Sequence, residues 1–470
     1  MLSSRLMFAA LAASCFTPIV SAQLVWSPQL GAPFPIARHE SALAFDPVGG
    51  GLVLFGGSTN LPVDPNDTWR WTGGVWQQLN PVAAPPARYG PRLATDTARN
   101  AVVLFGGVAF NFALPQIMVS LNDTWEWNGS NWIQRFPSTN PPPRSGHALA
   151  YDAGRGVTVM FGGFDITAAT STYFADTWEW DGVNWTLRVP TTPMSPLTNH
   201  SMAYDAARGV VVMADGIGPS RGTWEWNGVA WTPRGPCPTG YGARLAYDGA
   251  RNRVVWYGGA DNQGYALPIG VWEWDGLAWT QRAIAVSPPP RFWHMMAFEP
   301  VTEQIVVFGG RDDSQPSLQQ RKGDTWTLGP VYRATTTPFG VACGGAAGPL
   351  TIATADRPWL GTTLTVDWTN TPAGSVVLLA FGWSRQVWLG VPLPLPLGAI
   401  GMPGCSLLVS LDYFEARATM GSTLQQLVVL PYVAAVLGLE LSLQGFGLDP
   451  AANPAGITAS NGIALRLGGL

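Results

Sequence analysis

From Arg144 to Leu187 the hydrophobic and polar positions change rhythm in an orderly way. Arg144-Ser-Gly-His147-Ala-Leu-Ala-Tyr151 alternates, which predicts a strand, and Asp152-Ala-Gly-Arg155-Gly156 supplies a turn. Val157 to Phe161 is apolar throughout, as expected for a strand covered on both faces, and Gly162-Gly163 ends it. After a loop, Asp176-Thr177-Trp178-Glu179-Trp180 alternates again, and Asp181-Gly182 turns the chain tightly into Asn184-Trp185-Thr186-Leu187. The pattern predicts four antiparallel strands. The same hairpin signal returns as Asn128-Gly129, Asn227-Gly228 and Asp275-Gly276.

An apolar strand running into Gly-Gly or a close variant occurs six times, at spacings of 43 to 56 residues: at Phe55, Phe105, Phe161, Ala214, Tyr257 and Phe308. A period of this length signals an array of small sheets. A lone four-stranded sheet with two apolar faces must cover both on neighbours, and a ring does this for every copy. The Trp residues are the filling, each removing up to about 250 Å² from water. Their regular alternation favours packing over sugar stacking.

A strand ending in Gly-Gly, then an aromatic strand, then a further Trp resembles the kelch repeat, over about 310 residues. The resemblance implies an all-β fold: a six-bladed kelch-like β-propeller over residues 23–331. The sixth repeat has Trp326 on its third strand but no Trp-bearing fourth strand, because Pro330 follows almost at once. Leu24-Val25-Trp26-Ser27-Pro28 precedes Arg38 as Trp76 precedes Arg88, by 12 residues. The N-terminal strand is therefore expected to close the ring, which removes exposed edges.

After about Tyr332 the repeat stops. Short apolar runs separated by Gly and Pro predict a smaller β-sandwich-like domain over 332–470. It resembles, through Phe339-Gly340, Cys343-Gly344, Pro403-Gly404-Cys405 and Ser460-Asn461-Gly462, terminal modules appended to secreted bacterial proteins. That resemblance implies no activity.

Charged residues make up only 12% of the 470 residues, with a net charge of -4 and no charged block, which argues against nucleic acid and anionic membranes as partners. Arg5, the apolar stretch Leu6–Val20 and Val20-Ser21-Ala22 read as a signal peptide over 1–22, with export to the cell envelope or medium. Cys15 after Ala13-Ser14 offers a lipoprotein alternative, but apolar residues continue beyond it. Export permits disulfides, and Cys343 is expected to pair with Cys405, closing 62 residues for roughly 4 kcal/mol, with Cys237 left as an inert thiol. Leu424–Leu443 is apolar but carries Pro431 and Glu440, so no integral membrane segment is expected in the mature chain.

Arg opens the first strand at Arg38, Arg88, Arg144 and Arg291, and Asp precedes the third strand in the same four repeats, at Asp67, Asp123, Asp176 and Asp324. The other two repeats lose both, with Leu197 and Gly240 for Arg and Gly222 and Gly270 for Asp. Residues gained and lost together on one rim predict structural ion pairs; the alternative is a ring of Arg that binds anions. His147, His200 and His294 share one place in the repeat and are read as structural. No catalytic group, cofactor site or metal-ligand spacing stands out. Specificity is expected on the long-loop rim, in 108–122, 164–175 and 311–323, with Asn111, Tyr173, Arg311, Asp312, Asp313 and Arg321 as candidate ligand contacts.

The composition points to a secreted, non-enzymatic binder of an extracellular protein or glycan. The runner-up is an exported sugar-acting enzyme. Exported six-bladed kelch proteins include sialic acid epimerases, and the copper-dependent galactose oxidases also resemble this architecture; no credible Tyr, His and Cys ligand set is visible for copper. A structural envelope component is a third class.

Overall fold

The computed structural model describes residues 24–468 except 31–32, 62–63, 112–116, 168–170, 216–220, 262, 269, 314–319, 331–334, 346–347, 359–361, 431–435 and 437. The expected signal segment lies outside the described residues. The chain forms two compact units, one of Leu24–Gly329 and one beginning at Pro330.

The first unit holds six four-stranded sheets of the kind found in propeller blades. Five are built from consecutive chain: Ala42–Asp46 to Val75–Leu79, Arg92–Asp96 to Trp132–Arg135, Ala148–Asp152 to Trp185–Arg188, Ser201–Asp205 to Trp231–Gly235, and Arg244–Asp248 to Trp279–Arg282. The sixth takes Met295–Glu299, Gln304–Phe308 and Thr325–Pro330, and its fourth member is Leu24–Gln29. Second strands such as Val157–Phe161 are buried on both faces, which suits their β-branched and aromatic residues. The segments read as long loops fold back on themselves instead. Val108–Asn111 pairs with Ile117–Ser120, Phe164–Asp165 with Thr172–Tyr173, and Arg311–Asp312 with Gln320–Arg321.

First strands neighbour one another in cyclic order, and the last, Met295–Glu299, lies beside the first, Ala42–Asp46. Each adjacent pair of sheets shares an apolar core; between the sixth and first it holds Leu52, Leu54, Trp71, Trp76, Val306 and Phe308. Polar bonds cross the same gaps. Fourth-strand indoles donate to a Thr in the first two positions of the preceding sheet's third strand: Trp132 to Thr68, Trp185 to Thr124, Trp231 to Thr177 and Trp279 to Thr223. Trp76 makes the same bond to Thr325, at 2.8 Å across 249 residues of chain. The Trp26 indole N–H, by contrast, is buried without a partner, because Val271 occupies the Thr position.

Gly-Gly is required where one sheet touches the next. Gly162 has φ +66°, and a Cβ there would lie 2.5 Å from the Leu197 carbonyl oxygen, to which the Gly163 N–H donates at 2.8 Å. Gly310 donates to the Arg38 carbonyl in the same way, from the sixth sheet to the first.

The second unit packs a five-stranded sheet (Thr335–Phe339, Ile457–Arg466, Glu440–Leu448, Val376–Gly382, Tyr413–Ala418) and a three-stranded one (Thr351–Ala353, Thr363–Thr369, Thr423–Val429) around Trp368, Leu379, Val428 and Leu443. Cys343 and Cys405 are disulfide-bonded there.

Candidate functional site

The four paired arginines are clasps. Arg144 makes two bonds to the Asp176 carboxylate, at 2.6 and 2.8 Å, and donates to the carbonyls of Gly162 and Pro142. Asp176 also accepts the Trp178 indole N–H at 2.7 Å. Arg38 with Asp67, Arg88 with Asp123 and Arg291 with Asp324 repeat the arrangement, and all four guanidiniums are fully buried. Burial works against the charge on Asp123 and Asp324, yet their arginine partners hold both carboxyls below the usual carboxylate range. Each pair ties loop to strand, and none of the four guanidiniums is exposed.

Sequence reasoning missed a second ionic network on the tight-turn rim. Arg155 spans Asp152 and Glu179, and Arg188 completes the group on Glu179. The second, fourth and fifth sheets repeat it around Glu126, Glu225 and Glu273. Glu126 and Glu179 also accept indole N–H groups from the next sheet, from Trp180 and Trp226.

The axis holds a different set of groups. Every first strand opens with a residue facing a small internal cavity of about 80 Å³, lined from all six sheets. Three of the six, Ala42, Ala148 and Met295, are apolar and one is Ser201, but the second and fifth sheets place Arg92 and Arg244 there. Two sheets, the third and fourth, lie between them in chain order. Among the described residues neither arginine forms an ion pair, and each has a buried Nη2 without a hydrogen-bond partner. Burial pulls both below their ordinary pKa, Arg244 to about 9, with Arg92 adding to the effect. His200 lines the same cavity and is pushed down to about 3, first by burial and then by the two arginines.

Two residues before each first strand the backbone is left-handed. Three repeats use Gly there, Gly90, Gly146 and Gly242, but the others hold Glu40 at φ +52°, Asn199 at +57° and Trp293 at +51°. Non-Gly residues in this region carry strain of order 1–3 kcal/mol each, and such strain gathers at functional sites. A chain of backbone bonds links them, Glu40 to the Trp293 carbonyl and Gly90 to that of Glu40. Burial raises the Glu40 carboxyl pKa, opposed by Arg92, Arg244 and Arg311. Trp293 packs against Tyr241 and Phe292, the Arg311 guanidinium lies 5.9 Å from its ring centre, and Asn199 donates to the Tyr241 hydroxyl at 2.7 Å. This is an aromatic and polar mouth. Below the arginines, Leu43, Leu93, Leu149, Met202, Leu245 and Met296 form a belt between the cavity and an apolar opening at the tight-turn end.

No family model matches the chain. An F-box/kelch-repeat protein of Arabidopsis thaliana is 33% identical over 131 residues, 25% of this chain and 26% of the relative, so the chain matches about a quarter of that relative's length. The similarity is to kelch repeats. Among solved structures, that of YjhT covers 62% of this chain and 95% of its own, at 13% identity and a TM-score of 0.48. A fungal alcohol oxidase of the AA5 family in complex with copper covers 94% and 99%, at 12% identity and a TM-score of 0.45. Neither bears on what this chain binds.

The expected rim contacts are placed more variously. Arg311 pairs with Asp313 at 2.6 Å and Lys322 with Asp312 at 3.7 Å, so most of the charge of 311–323 is compensated within the segment. Arg321 reaches across to Asn60. Tyr173 is 56% exposed and stacks on Phe164, and Asn111 ends its strand. Of these, Arg311 approaches the axial mouth through Trp293, and Tyr173 lies near enough to act on the Tyr241 hydroxyl. The buried histidines His147, His200 and His294 pack edge-on against Phe105, Phe161 and Tyr257. The Cys237 thiol donates to the Asp215 carbonyl and is pushed up to about 12, chiefly by burial, which makes it unreactive. Among the described residues no three His, Cys, Asp or Glu side chains gather as a metal site would need.

Glu40, Arg92, Asn199, Tyr241, Arg244 and Trp293 were missed from sequence. The usable signal was departure from the repeat: Arg where other copies carry small or apolar residues, and bulky residues where others carry Gly.

Proposed function

We propose that residues 24–329 form a closed six-bladed kelch propeller, sealed by Leu24–Gln29, that serves an exported protein as its ligand-binding module. The ligand, a glycan or an extracellular protein, seats at the axial mouth on the long-loop face. The observation that carries this reading is the mouth itself: strained Glu40, Asn199 and Trp293, flanked by Tyr241 and Arg311, above two arginines without ion-pair partners, Arg92 half-buried and Arg244 buried. Aromatic surface combined with a few placed polar groups is a common make-up of ligand sites. The Cys343–Cys405 disulfide supports an oxidising compartment, and no described helix is long and apolar enough to cross a membrane.

The test is a glycan and extracellular-protein binding screen with the wild type, Trp293→Ala and Tyr204→Phe, the last on the tight-turn face. Ligands retained by Tyr204→Phe and lost by Trp293→Ala fit the reading; binding indifferent to Trp293 contradicts it. One observation favours an enzymatic alternative on the same site, a sugar-acting one. Burial raises the Glu40 carboxyl, which suits a general acid. Turnover of a bound sugar that stops in Glu40→Gln, with binding intact, would select it.

A further inference from the structure

Charge inside the ring does not balance. Two guanidiniums line the axial cavity, and Glu40 is the carboxylate whose field reaches both. Burial disfavours its charged form, and His200 is held neutral. At least one positive charge is therefore uncompensated. An unpaired buried cation is costly, and such groups are ordinarily met by a counter-ion. The buried Nη2 of Arg92 and of Arg244 are donors without acceptors, and both residues line the cavity. Their remaining bonds are to local carbonyls, Arg92 to Pro91 and Arg244 to Ala243 and Gly242.

Resting on the reading of the axial mouth as the binding face, we propose that Arg92 and Arg244 form an anion site that takes one carboxylate group. A carboxylate offers two oxygens in a plane, which suits two guanidinium donors approaching from different sheets. With Glu40 ionised the excess is one charge and with Glu40 neutral it is two, so one carboxylate does not over-compensate it in either state. A cavity of about 80 Å³ has room for a carboxylate, and in this proposal the rest of a larger ligand extends towards the mouth. The carboxylate belongs either to a free small acid or to an acidic sugar of the ligand.

The probes are formate and glucuronate, titrated into the full chain in a buffer poor in small anions. Thermal stability and heat of binding are read for the wild type, Arg92→Met and Arg244→Met, with tryptophan fluorescence reporting folding. Formate is expected to stabilise the wild type saturably, with apparent affinity at least tenfold weaker in each variant. Without the anion, Arg244→Met should melt above the wild type, since it removes an unpaired buried charge. An arginine-dependent response to glucuronate as well assigns the carboxylate to a ligand sugar; a response to formate alone assigns a free acid. Responses identical in all three proteins, or none in any, overturn the site. Loss of glycan or protein binding in the screen described above does not affect this titration, so the two readings fail separately.

Discussion

Arg144→Leu removes the cation of one clasp. It deletes both bonds to Asp176 and those to the Gly162 and Pro142 carbonyls, while Asp176 keeps its bond from Trp178. Removing one partner of a buried pair costs about 3–5 kcal/mol. Asp176 is 23% exposed and can rehydrate, which places the cost near the lower end, about 3 kcal/mol. For a unit of roughly 300 residues, unfolding entropy near 2.1 cal/mol/K per residue converts this to a fall in Tm of about 5 °C. Arg144→Leu/Asp176→Asn removes the stranded charge but keeps an acceptor for Trp178. It should recover at least about 1 kcal/mol relative to the single variant. The fourth repeat already lives with Leu197 and Gly222 in these two places and still forms its sheet. Thermal and urea unfolding followed by tryptophan fluorescence measures both. A single variant that loses less than about 1 kcal/mol, or a double variant no better than the single, refutes the clasp as an energetic unit.

Trp231→Phe abandons the Thr177 hydroxyl, which accepts the indole N–H at 3.0 Å in a buried setting, whereas Trp26→Phe leaves no acceptor behind; the first should cost about 1–2 kcal/mol more in urea unfolding. His200 is neutral when folded, with a pKa near 3, and charged below about 6.5 when unfolded. Its contribution is therefore full above about pH 6.5 and erodes by about 1.4 kcal/mol per pH unit as pH falls towards 3. His200→Phe should flatten stability against pH over that window, and an unchanged slope would contradict the assignment. Cys343→Ser/Cys405→Ser should destabilise the unit beginning at Pro330 by about 4 kcal/mol from loop closure, read by calorimetry with the oxidised wild type as reference.

The repeat was legible because its causes are local. Gly-Gly, the Asp-Gly and Asn-Gly hairpins and alternating Trp each fix a short stretch of backbone. Pairing of Arg144 with Asp176 was also legible, since the two are gained and lost together along the chain. The network on Glu179 was not, because Arg155 reads as a turn residue and Glu179 as the solvent face of Trp-Glu-Trp; only burial by the next sheet turns it inward. The hairpins beyond Gly-Gly escaped for a similar reason, since Ser145 and Phe164 bridge only once the neighbouring strands are in place. Arg92 and Arg244 stand 152 positions apart and share a cavity only through the packing of the sheets. A single sequence marks them as exceptions to a pattern and gives no sign that they meet.

Closure of the sheets into a ring is the claim on which the axial site depends, and a double-mutant cycle on Trp76 and Thr325 tests it. The indole of the first sheet donates to the hydroxyl of the sixth at 2.8 Å, with both groups buried. Trp76→Phe, Thr325→Ala and the double variant should give a coupling free energy of about 1 kcal/mol in urea unfolding. Additive losses, with coupling indistinguishable from zero, would mean that the first and last sheets do not touch.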